Sequence, residues 1–266
     1  MVSVIICFYE RSKHLFLCLD SLKLNQDFFD EVIVSDDGSS IETIDLVKSE
    51  IKKYPFKIKF VTRESSGFEV AASRNNGIRN SKGSYLIFID CDLALLPGSL
   101  EPHRKFSQRR KFLIGHCKYL DEKSSIKILS EKKDIPNRLV QLYDQIDGSN
   151  LLKLEKRQRK LNLLISLRLA SYKSQALGGH FSLFKEDIIR INGYDEKFKG
   201  WGAEDCDLGR RLVKSGCRGV PIQCSAKSLH IWHPRENFSN NWKHASNFKY
   251  FNRNNIEYFC KNGIEY

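Results

Sequence analysis

No stretch of the 266 residues approaches the roughly 20 consecutive apolar residues that a membrane-spanning helix needs. None of the eight cysteines, at 7, 18, 91, 117, 206, 217, 224 and 260, forms a Cys-x-x-Cys pair. Zinc-ribbon and thioredoxin-like readings therefore have no support. Several of these cysteines lie in apolar segments where a free thiol packs as a small hydrophobe, as expected of reduced thiols in a cytosolic protein. Internal repeats and low-complexity tracts are also missing. The opening run Val2-Ser3-Val4-Ile5-Ile6-Cys7 has neither a basic leader nor a small-residue cleavage site, so it reads as a first buried strand rather than a secretory signal.

What is present is the composition of an ordinary globular protein, 41% hydrophobic and 29% charged. The length allows one α/β domain or two small ones. The net charge of +12 is concentrated between His103 and Gln175, where 18 Lys/Arg face 7 Asp/Glu. That asymmetry implies an anionic partner, either acidic lipid head groups or a phosphorylated substrate. Solvated helix faces explain it equally well. Nucleic acid is not expected, because the segment has no nucleic-acid module and few aromatics for stacking.

The first hundred residues alternate strand and helix signals. Strands are expected at Val2 to Cys7, Glu31 to Ser35, Phe56 to Thr62 and Ser84 to Asp90. Helices are expected at Ser12 to Leu24, Ile41 to Lys53 and Val70 to Asn80. This order predicts an α/β fold with a mostly parallel sheet flanked by helices. Residues 103–175 break the pattern as a basic, helical insertion. Within it, Leu151 to Tyr172 reads as a helix with Leu154, Leu161, Ile165 and Leu169 opposite Lys156, Arg159 and Arg168. Such a helix suits a membrane surface or packs on the domain. A compact pattern resumes from 176 to 236, with a strand at Phe181 to Phe184, a helix from Lys185, another at Cys206 to Ser215 and a strand at Gly219 to Cys224. The tail, 237–266, is expected to fold back over one continuous domain.

In parallel sheets ligands gather beyond the C-terminal strand ends. Both acidic clusters, Asp36-Asp37 and Asp90-Cys91-Asp92, fall there. Expelling a diphosphate requires a counter-charge, which a divalent cation held by oxygen ligands supplies. Two aspartates flanking one residue at a strand end can reach such an ion or its waters. Two solvated loop acids are the alternative.

Four segments in order, Val2-Ser3-Val4-Ile5-Ile6, Val34-Ser35-Asp36-Asp37-Gly38-Ser39, Ala72-Ser73-Arg74-Asn75-Asn76-Gly77 and Asp90-Cys91-Asp92, resemble the nucleotide-binding half of family-two glycosyltransferases with the GT-A fold. Gly178-Gly179-His180-Phe181-Ser182, Gly193-Tyr194-Asp195-Glu196 and Gly200-Trp201-Gly202-Ala203-Glu204-Asp205 resemble the acceptor-side motifs of three groups. These are bacterial chondroitin-polymerase hexosaminyltransferase domains, animal β-1,4-galactosyltransferases and polypeptide N-acetylgalactosaminyltransferases. The resemblance covers roughly 1–100 and 176–236.

By position, the resemblance puts Cys7, Tyr9 and Asp37 around the uracil and ribose, with Cys7 standing where the family more often has Pro or Thr. It places Arg74 against the diphosphate or donor sugar. Asp92 becomes the direct metal ligand, with Asp90 nearer the ribose or bound through water. His233, followed by Pro-Arg-Glu, fits the remaining ligand position better than His230. Asp205 matches the base that deprotonates the acceptor hydroxyl, and Glu204 would hydrogen-bond the acceptor, with reversed roles left open. Gly179, His180 and the aromatic face of Trp201 fall on the acceptor side. The implied protein is an inverting, Mn²⁺- or Mg²⁺-dependent transferase. It would move a hexose or N-acetylhexosamine from a UDP-sugar to a glycan or lipid-linked glycan, in the bacterial cytoplasm at the inner membrane face. A nucleotidyltransferase would carry a glycine-rich basic loop after the first strand, where Cys7-Phe8-Tyr9-Glu10 stands. A basic nucleic-acid-binding module with structural acids is the non-enzymatic rival.

Overall fold

The computed structural model describes residues 1–64, 69–131, 134–167, 169, 177–200, 202–234 and 246–265. A seven-stranded sheet forms the centre, built from β1 (Val2–Phe8), β2 (Glu31–Asp36), β3 (Ile58–Val61), β4 (Tyr85–Asp90), β6 (Lys111–Ile114), β8 (His180–Phe184) and β9 (Arg218–Pro221). Their order across the sheet is β3-β2-β1-β4-β8-β6-β9. β1, β2, β3 and β4 run parallel, whereas β8 is antiparallel to both β4 and β6. The reversed strand has a direct consequence: its N-terminal end, Gly178-Gly179-His180, arrives where the parallel strands finish. Gly179 O accepts the backbone N–H of Asp90 at 2.9 Å.

The central strands are apolar on both faces, as a sheet covered by helices on each side demands. One face of β1 and β4, with Val4, Ile6, Ile87 and Ile89, packs with Leu15, Leu19 and Leu22 of α1 (Ser12–Leu22). The other face, with Ile5, Leu86 and Phe88, packs with Ala71 and Ile78 of α3 (Val70–Asn80) and Leu208 and Leu212 of α9 (Glu204–Lys214). A Cβ at Gly77 would stand 2.5 Å from Ile5 Cγ2, so glycine lets α3 lie close against β1. α2 (Ile41–Glu50) starts where the Ser40 hydroxyl caps Thr43 N–H.

A second, three-stranded sheet has the order β5-β10-β7, made of β5 (Leu93–Leu95), β7 (Lys118–Tyr119) and β10 (Ser228–His230). It packs with α5 (Glu122–Ser130) and α6 (Ile135–Gln145) around Leu96, Ile128, Leu139 and Leu229.

The basic segment is helical over Glu122–Ser130, Ile135–Gln145 and Ser149–Ser166, but its beginning differs from expectation. Residues 111–114 form a strand of the main sheet between β8 and β9. Phe112, Leu113 and Ile114 are buried, a signal hidden by flanking arginines and lysines. α7 (Ser149–Ser166) supplies the expected leucine-bearing helix up to residue 166, but a different face packs inward. Leu151 and Asn162 are buried, Asn162 donates to Gly219 O, and Glu155 accepts from Cys224 N–H at 2.9 Å. Leu152, Leu163, Leu167 and Leu169 stay exposed. All eight cysteines are free. Among the described residues, no helix is long and apolar enough to cross a membrane.

After residue 245 the tail returns over the fold through α10 (Ser246–Phe251). Arg253 pairs with Asp207 at 2.9 Å, and Arg79 donates to Ile264 O.

Candidate active site

The C-terminal ends of β1, β2 and β4 open into a cleft of about 1160 Å³. Cys7, Tyr9, Asp37, Arg74, Asp90, Asp92, Gly179, His180, Glu204, Asp205, His230 and His233 line it together. Residues scattered over 227 positions thus share one cavity. Trp201 lies outside the described residues.

At the nucleotide-binding end, β1 sits between β2 and β4, with Cys7 in register with Ser35 and Asp90. The two acids after β2 do different things. Asp36 is fully buried and ties the turn by accepting from Ser39 N–H and the Thr62 hydroxyl. Asp37 faces the cleft and accepts from Arg63 at 2.7 Å and from Glu69 N–H. Burial raises its carboxyl above the ordinary value against the pull of those two donors. Arg63 was not among the residues expected here. It also pairs with Glu69 at 2.7 Å, and Glu69 with Lys199 at 2.8 Å, which connects this end of the cleft to the loop before α9. Cys7 is a neutral thiol, pushed up to about 12 by burial, and donates to the Ser73 hydroxyl at 3.3 Å.

Asp92 opens the metal-binding side. β5 follows it immediately, and β10 pairs antiparallel with β5 so that His230 lies opposite Leu93. Ile231 N–H donates to Asp92 O at 2.9 Å, and this pairing carries the distant histidines to the aspartate. His233 Nε2 stands 3.2 Å and His230 Nε2 3.8 Å from Asp92 Oδ2. The ligand atoms of Asp92, His230 and His233 all lie within 4.8 Å of one another, so these residues could hold a metal ion. Both histidines join the set, rather than His233 alone. Asp90 is outside it. Burial acts to raise Asp92, but the His233 hydrogen bond and the nearby His230 and Arg11 leave it below the ordinary carboxylate range. The same hydrogen bond raises His233.

Arg74 is the hinge of the site. Its side chain is only 4% exposed, and its two terminal nitrogens reach Asp90 Oδ1, at 2.8 Å, and Asp205 Oδ1. The resemblance places this guanidinium against the diphosphate or donor sugar; in the fold it pairs with two carboxylates from different motifs. A phosphate contact would compete with both. Asn75 beside it donates to Tyr194 O and Glu196, and accepts Tyr194 N–H. The Arg74-Asn75 and Gly193-Tyr194-Asp195-Glu196 motifs therefore form one interface.

Glu204 and Asp205 occupy the first turn of α9, which starts two residues before the expected Cys206. Gly202 and Ala203, with φ of 110° and 72°, make the left-handed turn that precedes them. Glu204 accepts Gly202 N–H at 2.9 Å. Burial lifts Asp205 to about 7; Arg74 opposes this, and the neighbouring Glu204 and Asp90 add to it. Glu204 is raised too, again chiefly by burial. A carboxyl that titrates near neutrality is matched to general-base work.

Gly179 and His180 support the wall in different ways. A Cβ on Gly179 would lie 1.8 Å from Asp90 Oδ2, so only glycine leaves room for that carboxylate. His180 is buried and both ring nitrogens are engaged: Nε2 with His103 Nε2 at 2.9 Å and Nδ1 with the Ser228 hydroxyl at 3.2 Å. Its polar atoms are thus spent within the protein. Tyr119, on short β7, and Trp232 also line the cleft; no sequence motif singled them out.

Residues 3–189 match the family described as glycosyl transferase family 2. The chain belongs to that family. Residues 163–234 further match a segment described as the N-terminal domain of galactosyltransferase. This family 2 glycosyltransferase is 30% identical to a chondroitin synthase of Escherichia coli over 227 residues, which is 81% of this chain but 32% of the synthase. The chain therefore spans about a third of that relative. Its fold is GT-A. A mannosyltransferase from Pyrobaculum calidifontis, solved with GDP-Man and Mn²⁺, superposes with a TM-score of 0.59 at 17% identity, covering 88% of this chain and 57% of that one. GalNAc-T7, solved with UDP, GalNAc and Mn²⁺, gives 0.59 at 18% identity, covering 88% and 44%.

Proposed function

We propose that the chain transfers a hexose or N-acetylhexosamine from a UDP-sugar to a hydroxyl of a glycan acceptor, with inversion and with a divalent cation. The observation that carries this reading is the shared lining of one cleft. It holds the Asp92, His230 and His233 cluster together with Asp205, which Arg74 ties to Asp90. The Mn²⁺ named with both solved relatives supports the metal assignment. Two imidazoles among three ligands disfavour Mg²⁺, which takes oxygen ligands, and leave Mn²⁺ as the better fit. Bound there, the cation would neutralise charge developing on the departing diphosphate.

The protein's own residues do the rest. Asp37, fixed by Arg63 and Glu69, offers acceptor oxygens to base or ribose donors. Asp205 takes the proton of the attacking hydroxyl on the face opposite the leaving group, as inversion requires. Arg74 holds its carboxylate while Tyr194 donates to it at 3.3 Å. Glu204, next to it, hydrogen-bonds the acceptor. The donor base is read as uracil from the motifs and from the UDP named with one solved relative; GDP-Man is named with the other. Turnover of a panel of UDP- and GDP-sugars with and without Mn²⁺ tests the assignment. Equal turnover in a metal chelator would contradict it.

An anionic membrane surface is the proposed setting, with the acceptor lipid-linked. The support is the outer flank of α7, where exposed Leu152, Leu163 and Leu167 stand among exposed Lys153, Lys156, Arg159 and Lys160. Reversing those four charges should abolish sedimentation with phosphatidylserine vesicles; unchanged sedimentation would contradict the setting.

A further inference from the structure

The lining of the cleft is chemically uneven. Its lining acids, Asp37, Asp90, Asp92, Glu204 and Asp205, come from the ends of β2 and β4 and the start of α9. Another part of the lining is α7. Leu154, Arg157, Gln158 and Leu161 line the cleft at i, i+3, i+4 and i+7, the spacing of one helix stripe. This wall is built in. Leu151 is buried, Glu155 accepts Cys224 N–H, and Asn162 donates to Gly219 O, so the neighbouring stripe is pinned to β9 and the segment after it.

Of the three arginines lining the cleft, two face the acids: Arg74 joins Asp90 and Asp205, and Arg11 lies 4.0 Å from Asp92. Arg157 is the third. Among the described residues it makes no ion pair or hydrogen bond, and it projects from a wall with no acid in the cleft lining. The strand order sets the scale. β9 lies three places from β4, roughly 14 Å at about 4.8 Å per strand. Arg157 thus stands on the wall pinned to β9, whereas Asp205 is tied through Arg74 to Asp90 at the end of β4.

Resting on the transferase reading above, we propose that α7 is the acceptor-reading wall of the cleft and that Arg157 binds an anionic group of the acceptor, a carboxylate or a phosphate, outside the sugar that receives the transfer. Leu154 and Leu161 give apolar faces on either side of it, and Gln158 supplies a neutral donor and acceptor. The guanidinium forms paired, charge-assisted hydrogen bonds with either anion. Binding of an acidic acceptor is favoured where the cleft lacks acids and opposed where it has them, which also orients the acceptor along the cleft.

Direct binding tests this separately from turnover. Three probes are titrated into the protein with UDP and Mn²⁺ present: a uronate-ended oligosaccharide, a glycosyl diphosphate on a short alkyl tail, and a neutral oligosaccharide of equal length. At least one acidic probe should bind roughly 10- to 100-fold tighter than the neutral one, and the one preferred identifies the source of the anion. Arg157→Gln should remove the preference and Arg157→Lys restore part of it. Lys123→Gln, exposed on α5 and outside the cleft lining, should leave it intact. Equal binding of all three probes by the unmodified protein, or a preference that survives Arg157→Gln, would overturn the proposal. Failure of UDP and Mn²⁺ to bind would instead count against the donor-site reading.

Discussion

Replacing Asp205 by asparagine should make the protein more stable and nearly inactive. The carboxyl moves from an ordinary 3.8 to about 7 on folding, chiefly through burial. At about 1.4 kcal/mol per tenfold change in proton affinity, ionised Asp205 costs the folded state about 4 kcal/mol. The folded value exceeds the unfolded one, so its contribution is fully present below about pH 4 and is lost as pH rises through about 7. Asparagine removes the ionisation while keeping an oxygen for Arg74 and Tyr194. The gain should therefore be near its full size at pH 8, shrink between pH 7 and 4, and vanish below. At roughly 2–4 °C per kcal/mol for a chain near this size, thermal unfolding of the ligand-free protein at pH 8 should shift upward by several degrees. Turnover should fall about 10²- to 10⁴-fold, the range for loss of a general base. Melting curves from pH 4 to 8 alongside UDP release decide it. A variant destabilised at every pH, or one retaining turnover, would refute the reasoning.

Other consequences follow from the same geometry. The unmodified enzyme's kcat/KM should rise with pH through about 7 as Asp205 ionises; a flat profile from pH 5.5 to 8.5 would contradict a base of that affinity. Gly179→Ala puts a Cβ 1.8 Å from Asp90 Oδ2 and should cut turnover at least about tenfold with an unchanged circular dichroism spectrum. Arg63→Gln loosens Asp37 and should weaken UDP binding by roughly tenfold or more, read by calorimetry, as expected for a lost charged hydrogen bond. His230→Ala and His233→Ala should each raise the Mn²⁺ concentration needed for half-maximal activity; an unchanged value for either would remove that residue from the ligand set.

Much of this site can be read in the sequence, because its parts sit at predictable places. Asp90 ends an apolar strand of a β-α-β series and Asp37 directly follows one, and strand ends are where such sheets bind ligands. The parts that escape are made by pairing across distance. Asp92 meets His230 as well as His233 because β10 pairs with β5, two three-residue strands with little signal of their own. Arg74 meets Asp205 because α3 docks on the segment around Tyr194, a contact that no local pattern encodes. β6 is hidden inside the most basic stretch of the chain. α7 shows why periodicity alone misassigns a face: Glu155 and Asn162 turn inward because the β9 backbone and the segment after it offer them partners, while Leu152 and Leu163 stay outside.

The central claim is that the metal ligands and the base share one cleft but serve different steps, and one experiment separates them. UDP-sugar binding and acceptor-dependent UDP release are measured across an Mn²⁺ titration for the unmodified protein, Asp92→Ala and Asp205→Asn. The account predicts that Asp205→Asn keeps Mn²⁺-dependent donor binding without turnover, while Asp92→Ala loses the Mn²⁺ response of both. Full turnover by either variant, or Mn²⁺-independent release by the unmodified protein, would contradict it.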